Sequence, residues 1–193
     1  MAPRLVLASA SPRRARILER LGVAFEVVVS HVDEALVPGE DGAATVERLA
    51  RLKAEAVARR SALPVLGADT EVIADGRILG KPEGEAHAAS MLEGLAGREH
   101  EVVTGLCLVS GERARSGVER TRVRFAPMSA RERAWYAASG EPLDKAGGYN
   151  VDGLGALFVE AVAGSPSNVA GLPVRLLLRL ARELDVDLGW PPS

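Results

Sequence analysis

The sequence predicts an α/β protein in which strands and helices alternate along most of the chain. Short apolar runs rich in β-branched residues, such as VAFEVVV at residues 23–29, are typical of strands. Segments with apolar residues at helical spacing lie between them. With 193 residues, 47% of them hydrophobic, the chain can form one globular unit or two small lobes that share a core.

The first predicted strand ends at Ala8 and leads through a tight turn into a helix. Ser11 suits the N-cap of this helix, and Pro12 suits its first position, whose N–H has no intrahelical partner. Gly22 is placed to end the helix. The sequence therefore predicts a strand, a turn and a helix within the first 22 residues.

An anion site is one interpretation of this turn. A helix N-terminus carries free N–H groups and partial positive charge. The turn adds Ser9, Arg13 and Arg14, and a guanidinium fork fits phosphate oxygens. The other interpretation is an ordinary capped helix with solvated arginines, because all but three of the 24 basic residues are arginines.

The remaining elements follow from the same patterns. A helix over residues 43–60 carries an apolar stripe, and residues 64–68 form a buried strand. Residues 71–74 and 77–79 are predicted to form a hairpin, because Asp75 and Gly76 fit its type I′ turn. The later elements are a helix over 83–95, two antiparallel strands over 100–109 and 117–125, a helix with the capping box Ser129 and Glu132, a glycine-rich loop over 143–155, a strand over 156–162 and a helix over 172–184.

The three lysines occupy notable positions in a chain that otherwise uses arginine. Lys53 lies within the apolar stripe of the 43–60 helix, where its ammonium either reaches out to water or points into a cleft toward an anion. The pattern favours neither. Lys81 stands where a strand passes into a helix, and Lys145 lies in the glycine-rich loop.

Acidic residues follow two of the predicted strands. Asp69 and Thr70 come directly after the strand over 64–68, and chemistry in α/β sheets collects where strands end. Asp69 is therefore a candidate base or metal ligand. Asp33 and Glu34 follow the second strand and form either a solvated loop or a source of carboxylate oxygen for a hard cation such as Mg²⁺.

Composition argues against several classes of function. A formal net charge of −2 gives no support for a protein that coats nucleic acid, and Trp135 and Trp190 are isolated rather than interleaved with basic residues. No segment approaches the ~20 apolar residues of a membrane span. The N-terminal apolar run is too short for a signal peptide, so we expect a cytoplasmic protein. The single cysteine, Cys107, is predicted to be buried.

Five segments of the chain resemble the Maf family, also called septum formation inhibitor proteins: LASASPRRARIL, GADT, LGKP, GEPLDKAGGYNVDGLGALF and SNVAGLP. Their order and spacing match the family over nearly the whole chain. The resemblance implies one Maf-like domain over residues 1–193 with a mixed twisted sheet, flanking helices and two lobes around a central cleft. It relates this fold to the inosine triphosphate pyrophosphatases.

The resemblance also implies an activity. Members of the family hydrolyse a nucleoside triphosphate to the monophosphate and pyrophosphate with a divalent metal, Mg²⁺ or Mn²⁺. House-cleaning of modified nucleotides, a link to cell division arrest and a homodimer are further implications of the resemblance. No membrane or nucleic-acid partner is expected.

Individual residues take roles from their match to the family's motifs. Asp69 matches the proton acceptor, and Glu34 matches an acidic residue near the catalytic centre, so these two carboxylates are the expected metal ligands. The residues that match the family's phosphate-handling positions are Ser9, Arg13, Arg14, Lys53 and Lys81. The turn before the first helix adds Ser11 as a further residue expected to bind substrate.

Three residues match positions linked to the choice of substrate: Arg13, Thr70 and Asp152. Thr70 resembles the branch of the family that acts on dTTP and UTP. Asp152 departs from that branch, which usually has glutamine there. An ionised carboxylate accepts hydrogen bonds but cannot donate one, so it would pair with a base differently from an amide.

Other functions stay open at this point. One is a non-catalytic nucleotide-binding regulator of septum formation, although a binder has no need of a base such as Asp69 beside the phosphates. Another is the same chemistry on purine or modified triphosphates, and only Thr70 and Asp152 bear on this choice of substrate. A nucleic-acid-binding module is disfavoured by the charge.

Overall fold

In the computed structural model, which describes residues 2–190, a mixed sheet is flanked by helices, and the predicted α/β class is confirmed. The strands are β1 (Leu5–Leu7), β2 (Phe25–Val27), β3 (Val65–Ala74), β4 (Arg77–Leu79), β5 (Glu99–Ser110), β6 (Arg113–Phe125) and β7 (Val159–Ala163). The helices are α1 (Pro12–Arg20), α2 (Gly42–Ala58), α3 (Glu85–Leu95), α4 (Ala130–Ala138), α5 (Pro166–Val169) and α6 (Val174–Glu183).

The sheet combines parallel and antiparallel pairs in the order β2-β1-β3-β5-β6-β7, with β4 paired to β3. β1 pairs in parallel with β2 and with β3. The pairs β3–β4 and β6–β7 are antiparallel. Crossovers through α1 and α2 join the parallel strands, as parallel pairing requires.

The chain divides into two compact units. The first comprises residues 2–69, Thr104–Glu119 and 171–190 of the described chain, and the second comprises Thr70–Val103 and Arg120–Ala170. β3, β5 and β6 each contribute residues to both units.

The core of the first unit covers both faces of β1. Leu5 and Leu7 pack in a cluster with Leu18 of α1 and Leu177 of α6. Val6, and Ala8 directly after the strand, point to the opposite face, where they pack with residues of α2 such as Ala54. Alternate residues of a strand face opposite sides of the sheet, so the continuous apolar run LVLA is the pattern of a strand buried on both faces.

Two glycines let α2 lie directly on the sheet. A Cβ atom on Gly67 of β3 would stand 2.1 Å from the carbonyl oxygen of Ala50. A Cβ atom on Gly105 of β5 would stand 2.3 Å from the carbonyl oxygen of Val46. These distances leave no room for a side chain, so the position of α2 on β3 and β5 is fixed by backbone contact.

An aromatic cluster lies in the core of the second unit. His100 of β5 is 3% exposed and meets the rings of Phe125 and Tyr149 edge to face. Its Nε2 shares a hydrogen bond of 2.8 Å with the Tyr149 hydroxyl. Burial lowers the pKa of His100 to about 4, because the charged imidazolium would lose its hydration.

We expect this histidine to make the protein sensitive to acid. The unfolded chain binds a proton at His100 near pH 6.5, whereas the folded protein binds it only near pH 4, so the stabilisation is complete above pH 6.5 and is lost as the pH falls toward 4. The full loss is on the order of 3 kcal/mol. Urea unfolding between pH 7 and pH 4.5 measures it, and His100→Gln should flatten the fall. The exposed His87→Gln variant is the matched control, and equal slopes in wild type and His100→Gln would contradict the assignment.

Most predicted element boundaries are close to those of the structure. α1 begins at Pro12 after the N-cap Ser11, and Gly22 follows its end with φ +70°. The capping box of Ser129 and Glu132 at α4 is present. Asp75 and Gly76 adopt positive φ in the β3–β4 turn, as the hairpin prediction required.

Some predicted strands differ in extent from the observed ones, and the strand predicted over 117–125 begins earlier, at Arg113. The strand predicted over 64–68 and the hairpin strand predicted over 71–74 are one continuous strand, β3, so Asp69 lies inside a strand rather than after its end. The strand predicted over 156–162 begins only at Val159, because Leu154–Phe158 form a 3₁₀ turn. Leu157 is 69% exposed, and apolar character alone gave a misleading strand signal there.

The structure also bears on the predicted burial of the single cysteine and on membrane-spanning helices. Cys107 is buried, as predicted, and burial raises the pKa of its thiol to about 11. Among residues 2–190, every helix is too short or too polar to cross a bilayer.

Candidate active site

A lysine joins two carboxylates in the first unit. Lys53 Nζ donates to Asp69 Oδ1 at 2.7 Å and to Glu34 Oε2 at 2.8 Å. Lys53 and Asp69 are each 7% exposed, whereas the Glu34 side chain is 55% exposed. The group therefore has a buried end at Asp69 and an open end at Glu34.

Strand and helix periodicity bring Lys53 and Asp69 together. Asp69 follows Gly67 by two residues, so both lie on the face of β3 that α2 covers. Lys53 follows Ala50 by three residues and belongs to the inward stripe of α2. The sequence left open whether Lys53 points to water or inward, and the structure shows that it points inward to a carboxylate.

Arg48 fixes the loop that carries Glu34. Arg48 of α2 donates to the Ala35 carbonyl oxygen at 3.2 Å and makes an ion pair of 2.7 Å with Glu40. The Asp33 carboxylate accepts the N–H of Ala35 at 3.0 Å, which shapes the turn around Glu34. The hydrogen bond from Arg48 lowers the pKa of Glu40, so this anchor is charged at neutral pH.

One oxygen of Asp69 is available to a ligand. Asp69 Oδ2 is buried and has no hydrogen-bond partner in the described part of the chain. Buried polar atoms in proteins usually have a partner, so this oxygen is placed to bind water or an ion. Asp69 and Glu34 suit a Mg²⁺ or Mn²⁺ ion, which proteins commonly bind through one or two carboxylates together with substrate phosphates. Over residues 2–190, no group of three or more histidine, cysteine, aspartate or glutamate side chains could hold a metal ion.

The turn before α1 places a buried guanidinium in the same unit. Arg14 is 9% exposed, and its Nε donates to the Gly171 carbonyl oxygen at 2.9 Å. Its Nη1 donates to Ser9 Oγ at 2.9 Å, and the N–H of Ser11 also donates to Ser9 Oγ at 3.3 Å. Because both contacts use the oxygen as acceptor, the Ser9 hydroxyl proton can donate to an anion.

Electrostatic interactions connect Arg14 with the acidic group. Burial lowers the pKa of the Arg14 guanidinium, and the negative charge of Asp69 opposes this shift. The positive charge of Arg13 lowers the pKa further, and Glu34 raises it. The four charges therefore form one electrostatic cluster, with two guanidinium groups near two carboxylates.

The other predicted residues of the first turn are more exposed. Ser11 is the N-cap of α1, but its hydroxyl makes no capping hydrogen bond. Arg13 is half-buried at the start of the helix. Both lie within two residues of Ser9 or Arg14 in the chain.

Three predicted residues belong to the second unit. Thr70 directly follows Asp69 on β3 and is half-buried. Lys81 is exposed in the loop between β4 and α3. Asp152 is exposed in a turn, where its N–H donates to Asn150 Oδ1 at 3.3 Å.

Glu141 was not among the predicted site residues, but its carboxylate organises the glycine-rich segment around Asp152. Its Oε1 accepts the Tyr136 hydroxyl at 2.8 Å and the N–H of Gly155 at 3.0 Å, and its Oε2 accepts the N–H of Leu154 at 3.1 Å. Burial alone would raise the pKa of Glu141, but these hydrogen bonds together hold it below its ordinary value. A carboxylate just before a glycine-rich loop was the available signal, because it can accept several backbone N–H groups.

Comparison with known proteins identifies the family. Residues 4–184 match the model of the Maf-like protein family. The chain is 48% identical over 195 aligned residues to a dTTP/UTP pyrophosphatase of Anaeromyxobacter sp. strain Fw109-5, covering 98% of this chain and 94% of the relative. It is 46% identical over 188 residues to a dTTP/UTP pyrophosphatase of Symbiobacterium thermophilum, covering 97% and 95%.

A solved structure also matches over most of both chains. It is a nucleoside-triphosphatase, dITP/XTP pyrophosphatase, from Mycobacterium abscessus, with 19% identity, a TM-score of 0.43 and coverage of 94% of this chain and 95% of that chain. The family match rests on the sequence comparisons, which extend over nearly the whole chain at close to half identity. This chain belongs to the Maf-like protein family.

Proposed function

We propose that this protein is a nucleoside triphosphate pyrophosphatase that hydrolyses dTTP and UTP to the monophosphate and pyrophosphate. The observation that carries the proposal is the buried Asp69 carboxylate, with one oxygen bound by Lys53 and the other without a hydrogen-bond partner among residues 2–190. The activity agrees with the dTTP/UTP pyrophosphatases that are nearly half identical to this chain.

Asp69 orients the attacking water and accepts its proton. Lys53 donates to Oδ1 at 2.7 Å in the described structure, and Oδ2, which has no hydrogen-bond partner among residues 2–190, can accept a hydrogen bond from water. The water oxygen attacks the α-phosphorus, the bond from that phosphorus to the bridging oxygen breaks, and pyrophosphate leaves. A positioned carboxylate base of this kind contributes about 10²–10⁴-fold to a rate.

Basic groups stabilise the charge that develops on the leaving pyrophosphate. Arg14 is held by Gly171 and Ser9, so its guanidinium is placed before substrate arrives. Arg13 and the serine hydroxyls of the same turn add donors, and Lys53 adds a second cation. Positioning and charge stabilisation are what phosphoryl chemistry mainly requires of a protein.

Asp69 and Glu34 would hold the divalent cation. When bound, Mg²⁺ or Mn²⁺ supplies positive charge that offsets the negative charge of the phosphates. The partly exposed Glu34 leaves one side of this pair open, and the Asp69 oxygen that has no partner in the described part of the chain would provide a ligand atom.

The roles of Thr70, Lys81 and Asp152 in substrate binding stay predictions from the family resemblance. A cytoplasmic location and a homodimer are likewise predictions. House-cleaning of modified nucleotides and a link to cell division arrest are the physiological roles that we propose.

The test is release of pyrophosphate from a panel of nucleoside triphosphates with Mg²⁺ or Mn²⁺. We expect dTTP and UTP to be the best substrates and the products to be the monophosphate and pyrophosphate. Release of orthophosphate and a diphosphate would contradict the chemistry. Release of pyrophosphate from purine or modified triphosphates alone would retain the chemistry and overturn the base assignment.

A further inference from the structure

Lys53 bridges the two carboxylates to which the proposed function assigns the cation. Its ammonium lies 2.7 Å from an oxygen of Asp69 and 2.8 Å from an oxygen of Glu34. An ammonium at this place neutralises part of the charge that would attract a cation. The two positive charges would repel each other strongly, because a partly buried site screens charges less than water does.

We expect any displacement of Lys53 to involve its side chain rather than its helix. Backbone contacts at Gly67 and Gly105 fix α2 on the sheet. The change on ligand binding would therefore be a movement of the Lys53 side chain alone. Lysine has a flexible stem of four carbons and a compact charge that can move from one partner to another. An arginine here would grip the two carboxylates with its planar fork. The chain uses lysine at this position although its basic residues are mostly arginine.

We infer that Lys53 is an internal competitor of the divalent cation that binding of a triphosphate displaces. This inference rests on the proposed function. In the nucleotide-free protein the ammonium pairs with Asp69 and Glu34, and the cation binds weakly. The negative phosphates of an incoming nucleotide give the ammonium a new partner, and the two carboxylates then accept the cation. Cation and nucleotide therefore bind cooperatively, and the cation binds tightly only when a triphosphate is present.

Titration with Mn²⁺ in the absence of nucleotide tests the competition. Electron paramagnetic resonance of free Mn²⁺ gives the affinity without any turnover. We expect Lys53→Met to bind Mn²⁺ at least about fivefold more tightly than wild type, because the competitor is gone. Lys53→Arg, which keeps the charge and holds both carboxylates, should bind no more tightly than wild type.

Arg51→Met is the matched control. Arg51 lies on the exposed side of α2, two residues from Lys53, and pairs with Glu55. The substitution removes the same unit of charge but leaves the Asp69–Glu34 pair intact, so Mn²⁺ affinity should change less than twofold. If Arg51→Met and Lys53→Met increased the affinity for Mn²⁺ equally, the increase would be due to net charge alone, and the inference would be overturned.

A second measurement uses the native side chain. With three lysines in the sequence, ¹³Cε and ¹⁵Nζ spectra of lysine-labelled protein can be assigned, and Lys53 is identified by the signal lost in Lys53→Arg. We expect that signal to shift when a dTTP analogue with an imido bridge between the α and β phosphorus is added with Mg²⁺, and to change little with Mg²⁺ at the same concentration alone. An unchanged Lys53 signal in the ternary complex would overturn the inference.

The two proposals fail in different ways. Wild-type protein that hydrolyses dTTP while Lys53→Met and wild type bind Mn²⁺ equally would contradict the competition alone. Wild-type protein that neither binds the analogue nor releases pyrophosphate would contradict the proposed function.

Discussion

Asp69→Asn is expected to reduce turnover of dTTP by about 10³-fold or more, because asparagine cannot accept the proton of the attacking water. The amide oxygen can still accept a hydrogen bond from Lys53, and Lys53 keeps its ion pair with Glu34 at 2.8 Å. The variant should therefore stay folded. Steady-state pyrophosphate release measures the loss, and thermal unfolding checks the fold.

Asp75→Asn is the matched control for this variant. Asp75 directly follows β3, carries the same charge and is exposed in a hairpin turn that asparagine tolerates at positive φ. It pairs with Arg98 and takes no part in the proposed chemistry. We expect its activity to stay within about twofold of wild type, as for a surface pair. A folded Asp69→Asn variant that keeps more than one tenth of the wild-type rate would contradict the role of Asp69.

Arg14→Lys has the second-largest expected effect. The guanidinium donates from Nε to the Gly171 carbonyl oxygen and from Nη1 to Ser9 Oγ, so the position of its buried charge is fixed. One ammonium nitrogen cannot reproduce this arrangement, so the charge loses its position. We expect kcat/KM to fall by about 10²-fold, the usual effect of removing one placed donor from a transition-state anion. The buried group left unpaired should also lower stability by about 1–3 kcal/mol.

Arg16→Lys provides the comparison on the same helix. Arg16 is exposed and lies two residues after Arg14. Equal rates in Arg16→Lys and wild type, with a loss in Arg14→Lys, would locate the effect at the buried guanidinium. A rate for Arg14→Lys within threefold of wild type would show that the position of this charge is unimportant to catalysis.

Local sequence signals predicted the elements that hold the site. Pro12 and Gly22 delimit α1 because one lacks an N–H and the other adopts positive φ at low energy. The inward stripe of α2 identified Lys53 as unusual, since a lysine at that spacing needs an anionic partner or a path to water. These signals are local, and the structure bears them out.

The partners of these residues could not be predicted from local patterns. Lys53 meets Asp69 sixteen residues away and Glu34 nineteen residues away, and Arg14 meets Gly171 at a separation of 157. The contact of Lys53 with Asp69 depends on the close packing of α2 at Gly67, which no periodicity encodes. The place of Asp69 inside β3 was missed because polar residues in the strand resembled a strand end. The match to family motifs gave its predicted role, and the geometry supplies the physical reason for it.

The most direct measurement of the central claim is the fate of solvent oxygen. Single-turnover hydrolysis of dTTP in H₂¹⁸O, followed by mass spectrometry, identifies the phosphorus that water attacks. If water held by Asp69 attacks the α-phosphorus, one ¹⁸O atom will appear in dTMP and none in pyrophosphate. Label in pyrophosphate, or formation of dTDP with labelled orthophosphate, would contradict the account.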